Sequence, residues 1–130
     1  MKPCFLDTCA VIQILSGDQA PVDAIEDYDE VLISHVVLGE LIFGCHRSAN
    51  PEREHARIFA WLPSVSVITA TPETAEIYGE LAADLETRGI RIPQNDLWIA
   101  ALSVQCGLPL VSSDAHFSRP RGLQWISYPA

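Results

Sequence analysis

The residues Pro3-Cys4-Phe5-Leu6-Asp7-Thr8 form a short apolar run that ends abruptly at a carboxylate. Such a run, apolar at every position instead of at every second one, is typical of a strand buried on both faces of a parallel sheet. Further strand-like runs are Val31 to Ile33, Val65 to Thr69, Leu108 to Ser112 and Leu123 to Ile126. The sequence therefore predicts a central sheet of four to five short strands.

Segments with helical spacing lie between these strands. They are predicted at Thr8 to Leu15, Asp18 to Asp27, Ser34 to an end between Gly44 and Ser48, Pro51 to about Leu62, Thr71 to Arg88, and from a cap at Asn95 or Gln94 to Cys106. Strands that alternate with helices predict an α/β fold, here three layers (α/β/α) around a mostly parallel sheet. No repeat or Gly/Ser linker divides the chain, so we expect a single domain over residues 1–130.

The composition is that of a folded globular domain, with 48% hydrophobic and 19% charged residues among 130. No apolar stretch is long enough to span a bilayer, and the first residues do not resemble a signal peptide. The four cysteines form no C-x-x-C pair. We therefore expect buried, reduced thiols in a cytoplasmic protein without membrane contact.

Four carboxylates occupy unusual places in this pattern: Asp7, Glu40, Asp96 and Asp114. Asp7 and Asp114 follow soon after predicted strands, and Asp96 falls in the first turn of a predicted helix. Glu40 lies one to two turns into the helix after the second strand, among apolar neighbours. Because ligands of parallel sheets bind at the carboxyl ends of the strands, we expect the four acids to converge on one cleft.

A divalent cation is the simplest compensation for such a cluster. Buried charges without partners cost free energy, and the chain has only eight Lys and Arg residues to offset them. A site made of carboxylate oxygens suits Mg²⁺ or Mn²⁺, which can activate water for attack on phosphate. Taken singly, each acid has another interpretation, such as a helix cap or a favourable first-turn charge. One shared site explains all four together.

Four segments resemble the PIN-domain ribonucleases, specifically the VapC-type toxins of toxin–antitoxin pairs. They are Phe5 to Thr8, Ser34 to Gly44, Ile92 to Ala101 and Leu110 to Phe117, in the order of the family. The resemblance implies a PIN-like fold and a Mg²⁺- or Mn²⁺-dependent endoribonuclease toxin that cleaves RNA. It assigns the catalytic and metal-binding roles to Asp7, Glu40, Asp96 and Asp114. It also implies a homodimer that is neutralised by a small cognate antitoxin.

Other positions are predicted to assist the acids or depart from the family pattern. Thr8 and Ser112 are candidates to support the carboxylates, with simple capping as the alternative. His116, Arg119 and Arg121 are candidates for substrate contact, with a solvated loop as the alternative. The family commonly has Asn or Ser where this chain has Cys9. We expect weaker local order there, without loss of activity.

Alternative functions remain open from the residues alone. A receiver-type signalling domain would need a Lys after a later strand, and the only Lys is Lys2. A haloacid-dehalogenase-type phosphatase would need an acid at the position of Cys9. A non-catalytic metal- or protein-binding module on a degenerate nuclease fold is not separated from an enzyme by sequence. The net charge of −9 is unusual for a nucleic-acid binder, since phosphate affinity comes from Lys and Arg.

Overall fold

The computed structural model describes residues 2–129, within which five strands form one sheet. The strands are β1 (Pro3–Leu6), β2 (Glu30–Ser34), β3 (Ser66–Ile68), β4 (Leu110–Val111) and β5 (Trp125–Ile126). All neighbouring strands pair in parallel, in the order β3-β2-β1-β4-β5. The predicted sheet of four to five short strands is confirmed.

Six helices flank this sheet and confirm the three-layer α/β/α arrangement. They are α1 (Thr8–Leu15), α2 (Gln19–Ala24), α3 (His35–His46), α4 (Pro51–Trp61), α5 (Pro72–Thr87) and α6 (Gln94–Cys106). Two short 3-10 turns occupy Leu62–Ser64 and Ala115–Ser118. Ser34 begins α3 as predicted, because its side chain accepts a hydrogen bond from the Val36 N–H. No helix of the described chain is long and apolar enough to cross a membrane.

The core is built around β1, which lies in the middle of the sheet. Its Cys4, Phe5 and Leu6 are completely buried, since strands and helices surround β1 on every side. Helix α6 is apolar almost all round and packs deeply, with Ile99 and Ala100 at 1% and 0% exposure in the same core. Because β1 is the middle strand, the residue that follows it, Asp7, lies at the centre of the edge formed by the carboxyl ends of the strands.

Several predicted boundaries were wrong. Strand β4 has two residues instead of the five predicted, and β5 has two instead of four. Pro109 has no N–H to donate to a sheet, so β4 begins only after it. Helix α2 ends at Ala24, short of Asp27. All four cysteines are free, but Cys9 and Cys106 are exposed, which corrects the prediction of uniformly buried thiols.

Candidate metal centre

The four predicted acids reach one edge of the sheet from four different elements. Asp7 and Asp114 follow β1 and β4, Asp96 lies in the first turn of α6, and Glu40 lies in α3. Shared neighbours link them: Ser112 bonds both Asp7 and Asp114, and His116 pairs with both Asp114 and Asp96. Asn95, next to Asp96, bonds Glu40. The pKa of the nearby Cys9 thiol is raised by burial first and then by the charges of all four acids. The four carboxylates therefore lie in one cluster at this edge of the sheet.

Asp7 is the most buried of the acids, at 3% exposure, and Ser112 holds it in place. The hydroxyl of Ser112 donates to Asp7 Oδ2 at 2.6 Å and accepts from the Asp114 N–H at 3.0 Å. The other oxygen, Oδ1, accepts from the Ala10 N–H at 2.9 Å. Burial raises the pKa of Asp7, these hydrogen bonds lower it, and Asp114 raises it. Asp7 is thus held by Ser112 and the Ala10 N–H, and the weaker order expected at Cys9 stays a prediction.

Glu40 is held by two neighbours on the other side of the cleft. The Thr8 hydroxyl donates to its Oε1 at 2.5 Å, and the Asn95 amide donates to its Oε2 at 3.3 Å. Thr8 thus bonds a carboxylate, as one of its two interpretations predicted. Asn95 was predicted only as a helix cap, although its position next to Asp96 indicated that its side chain could reach the site. Glu40 is half-buried, because the α3 face that includes Phe43 is open to solvent.

Asp96, Asp114 and His116 form the tightest group of the site. One ligand atom from each lies within 4.8 Å of the other two. His116 Nδ1 is 3.3 Å from Asp114 Oδ1 and 3.7 Å from Asp96 Oδ2. The pKa of Asp96 is raised to about 6. Burial is the largest cause and repulsion by the other three acids adds to it, whereas His116 lowers the pKa. The structure therefore places His116 among the acids.

The two arginines predicted to contact substrate occupy different places. Arg119 lines a groove beside Asp114 and His116, together with Arg91, which sequence reasoning did not single out. Arg121 turns to α5 instead, where its Nε lies 3.5 Å from Asp84 Oδ2. Arg119 thus lies beside the predicted acids, whereas Arg121 has an acidic partner of its own.

A second groove opens on the Glu40 side of the cleft. Its volume is about 850 Å³, within the range of ligand sites. Thr8, Glu40 and Asn95 line it together with Phe43 and Arg47. The Arg47 guanidinium lies 5.0 Å from the centre of the Phe43 ring. The acidic cleft therefore lies between two grooves that each contain arginine.

The donor set fits a hard divalent cation. It consists of carboxylate oxygens, the ligands that Mg²⁺ and Mn²⁺ prefer, and only His116 forms an ion pair with these acids among the described residues. The mutual repulsion that raises the pKa of Asp96 would be relieved by a bound positive charge.

Ser112→Ala is expected to weaken both the fold and the site. Its hydroxyl is the buried donor of Asp7, so its loss should cost about 1–3 kcal/mol of unfolding free energy and roughly 10-fold or more in metal affinity. Thermal melting and calorimetric Mg²⁺ titration measure the two effects. Ser127→Ala, at an exposed serine, is the control. Unchanged metal affinity in Ser112→Ala would show that the Asp7 bond serves the fold alone.

Several known proteins are similar to the chain over most of its length. The PIN-domain model matches residues 4–123. Ribonuclease VapC2 of Haemophilus influenzae (strain Rd) is 30% identical over 118 residues, 88% of each chain. Ribonuclease VapC5 of Mycobacterium tuberculosis is 33% identical over 116 residues, 87% of this chain and 84% of that protein. The structure of DNA-bound VapBC from Salmonella typhimurium matches with a TM-score of 0.90, at 25% identity and 98% coverage of each chain. The chain therefore belongs to the PIN-domain family, among its VapC ribonucleases.

Proposed function

We propose that this VapC ribonuclease hydrolyses RNA with Mg²⁺ or Mn²⁺ held by Asp7, Glu40, Asp96 and Asp114. The observation that carries the proposal is the clustering of these four carboxylates, which Ser112, His116 and Asn95 link by direct contacts. Like charges placed so close together destabilise the protein unless a cation joins them. An arrangement that costs stability is expected where function requires it.

The residues around the acids fix the carboxylates before a cation arrives. Ser112 joins Asp7 to the backbone of Asp114, and Thr8 and Asn95 orient the two oxygens of Glu40. Ligands held in place in this way lose little freedom on binding, which favours a defined coordination geometry. A divalent cation, when bound, activates water and stabilises negative charge that develops on phosphate.

The flanking grooves offer a path for an RNA strand despite the net charge of −9. Arg47 lines the groove on the Glu40 side, and Arg91 and Arg119 line the groove on the Asp114 side. Guanidinium groups bind phosphates, and the exposed ring of Phe43 could stack on a base. Phosphates on both sides of the scissile bond would then lie near arginine side chains, while the scissile bond itself would lie beside the four acids.

The proposed assembly is a homodimer neutralised by a small cognate antitoxin. A relative from Salmonella typhimurium was solved as a VapBC complex bound to DNA. An acidic cleft attracts a basic group, so we expect the antitoxin to place an Arg or Lys near the carboxylates. The free thiols of the chain agree with the proposed cytoplasmic location.

A nuclease assay on the purified, antitoxin-free protein tests the proposal. Structured RNAs, including tRNA, are incubated with Mn²⁺ or Mg²⁺, and the ends of the fragments are mapped. Attack by water should leave 5′-phosphate and 3′-hydroxyl ends, because hydrolysis does not use the 2′-OH of the substrate. Fragments with 2′,3′-cyclic phosphate would contradict this mechanism. Absence of cleavage across the whole panel would favour the non-catalytic binding module.

A further inference from the structure

His116 was predicted only to contact substrate, yet its imidazole lies beside two of the four acids. Its Nδ1 atom faces Asp114 Oδ1 at 3.3 Å and Asp96 Oδ2 at 3.7 Å. Its side chain is 50% exposed, so the ring has open solvent available and still turns one nitrogen toward two carboxylates.

The local fold sets this orientation. His116 lies in the 3-10 turn Ala115–Ser118, which Asp114 caps by accepting the His116 N–H at 2.9 Å. The next residue, Phe117, is 1% exposed and anchors the turn in the core. The backbone of His116 is therefore held by a hydrogen bond to Asp114 and by the buried ring of the next residue, which keeps its imidazole beside the acids.

The distances are longer than a direct charge-assisted hydrogen bond, and the three ligand atoms all lie within 4.8 Å of one another, close enough to hold one cation. Charge-assisted N–H···O bonds are about 2.7–2.9 Å long, shorter than both distances from Nδ1. Two atoms that each bind one ion at about 2.1 Å can be at most about 4.2 Å apart. The separations of 3.3 Å and 3.7 Å lie within that reach.

We propose that His116 Nδ1 is a direct ligand of the cation held by Asp96 and Asp114, and that it makes the centre select Mn²⁺ over Mg²⁺. The proposal rests on the metal site of the proposed function and adds a nitrogen donor to it. Mg²⁺ prefers oxygen ligands and retains its waters, so an imidazole contributes little to its binding. Affinity of a site with nitrogen and oxygen ligands rises in the order Mn²⁺ < Fe²⁺ < Co²⁺, and these ions accept imidazole more readily than Mg²⁺ does.

Metal titrations of the wild-type protein and of His116→Ala test the selectivity. Loss of His116 should weaken Mn²⁺ binding by roughly 10-fold or more and should change Mg²⁺ binding by no more than about threefold. The side chain is half-exposed and its backbone N–H remains, so the variant should keep its fold. His46→Ala, at an exposed histidine in the last turn of α3, is the matched control and should bind both ions like the wild type.

Pulsed electron paramagnetic resonance of bound Mn²⁺ tests direct coordination. The wild-type and His46→Ala spectra should show coupling to a ligand ¹⁴N nucleus, and this coupling should disappear in His116→Ala. A wild-type spectrum without nitrogen coupling, or equal Mn²⁺ affinity in wild type and His116→Ala, would overturn the proposal. Asp96→Asn distinguishes the underlying site: unchanged binding of both ions in this variant would overturn the metal site itself.

Discussion

Asp96→Asn is expected to lose at least ~100-fold of RNA cleavage and yet to melt at a higher temperature than the wild type in metal-free buffer at pH 8. The loss follows because the variant removes one of four charges that would hold the cation. The gain follows because the remaining acids no longer repel a carboxylate at that position. The two effects have opposite signs, which separates a functional acid from a structural one.

The pH dependence of this stability gain follows from the pKa of Asp96. The pKa is about 6 in the folded, metal-free protein and about 3.9 in an unfolded chain. Between these values the folded state binds the proton more tightly, so the unfolding free energy of the wild type falls as pH rises from about 4 to about 6. The deficit reaches nearly its full value about one unit above pH 6 and is small near pH 4. Asparagine has no such titration.

The expected difference at pH 8 is on the order of 1–3 kcal/mol, the lower end allowing for solvent screening of a partly exposed group. Denaturant unfolding at pH 4 and pH 8, without metal, measures it. Asp27→Asn, at an exposed acid of matched chemistry, should shift stability little at either pH. A variant less stable than the wild type at pH 8 would show that Asp96 supports the fold.

Chelation should abolish cleavage completely in the wild type, and added Mg²⁺ or Mn²⁺ should restore it. Without a cation the carboxylates repel one another and the phosphate, and no described arginine or lysine pairs with them. Thermal melting provides a second readout. A bound ion raises the melting temperature with concentration, by about 2.7 kcal/mol of unfolding free energy at 100 times its dissociation constant.

Asp96→Asn should lose most of this metal-induced stabilisation, whereas Asp27→Asn should retain it. Cleavage that continues undiminished in EDTA would refute the dependence on metal. Stabilisation of the wild type by metal without any cleavage would instead support the non-catalytic binding module.

The sequence was sufficient to predict the α/β fold and the acids because both depend on local patterns. A fully apolar run such as Phe5 and Leu6 predicts a buried strand, and a carboxylate directly after it, such as Asp7, falls at the strand's carboxyl end. Strand lengths were less predictable, since β4 and β5 are limited by the chain around Pro109 and by pairing across the sheet. Local periodicity contains no such information.

The details of the site could not be predicted because they depend on segments that meet only in the folded chain. Asn95 reaches Glu40 across 55 residues, and Ser112 reaches Asp7 across 105. His116 meets Asp96 only because the turn after β4 packs beside the start of α6. Glu40 was expected on an apolar helix face, but the neighbouring α3 surface is exposed.

The central place of β1 has a consequence for protein synthesis. This strand is synthesised long before β4, one of its two neighbours in the sheet, which begins at Leu110. The Ser112 hydroxyl that holds Asp7, and the carboxylate of Asp114, are also made late. A nascent chain that ends before this point lacks part of the acidic centre. We therefore expect the nascent chain to lack nuclease activity until residues made more than a hundred codons apart have met.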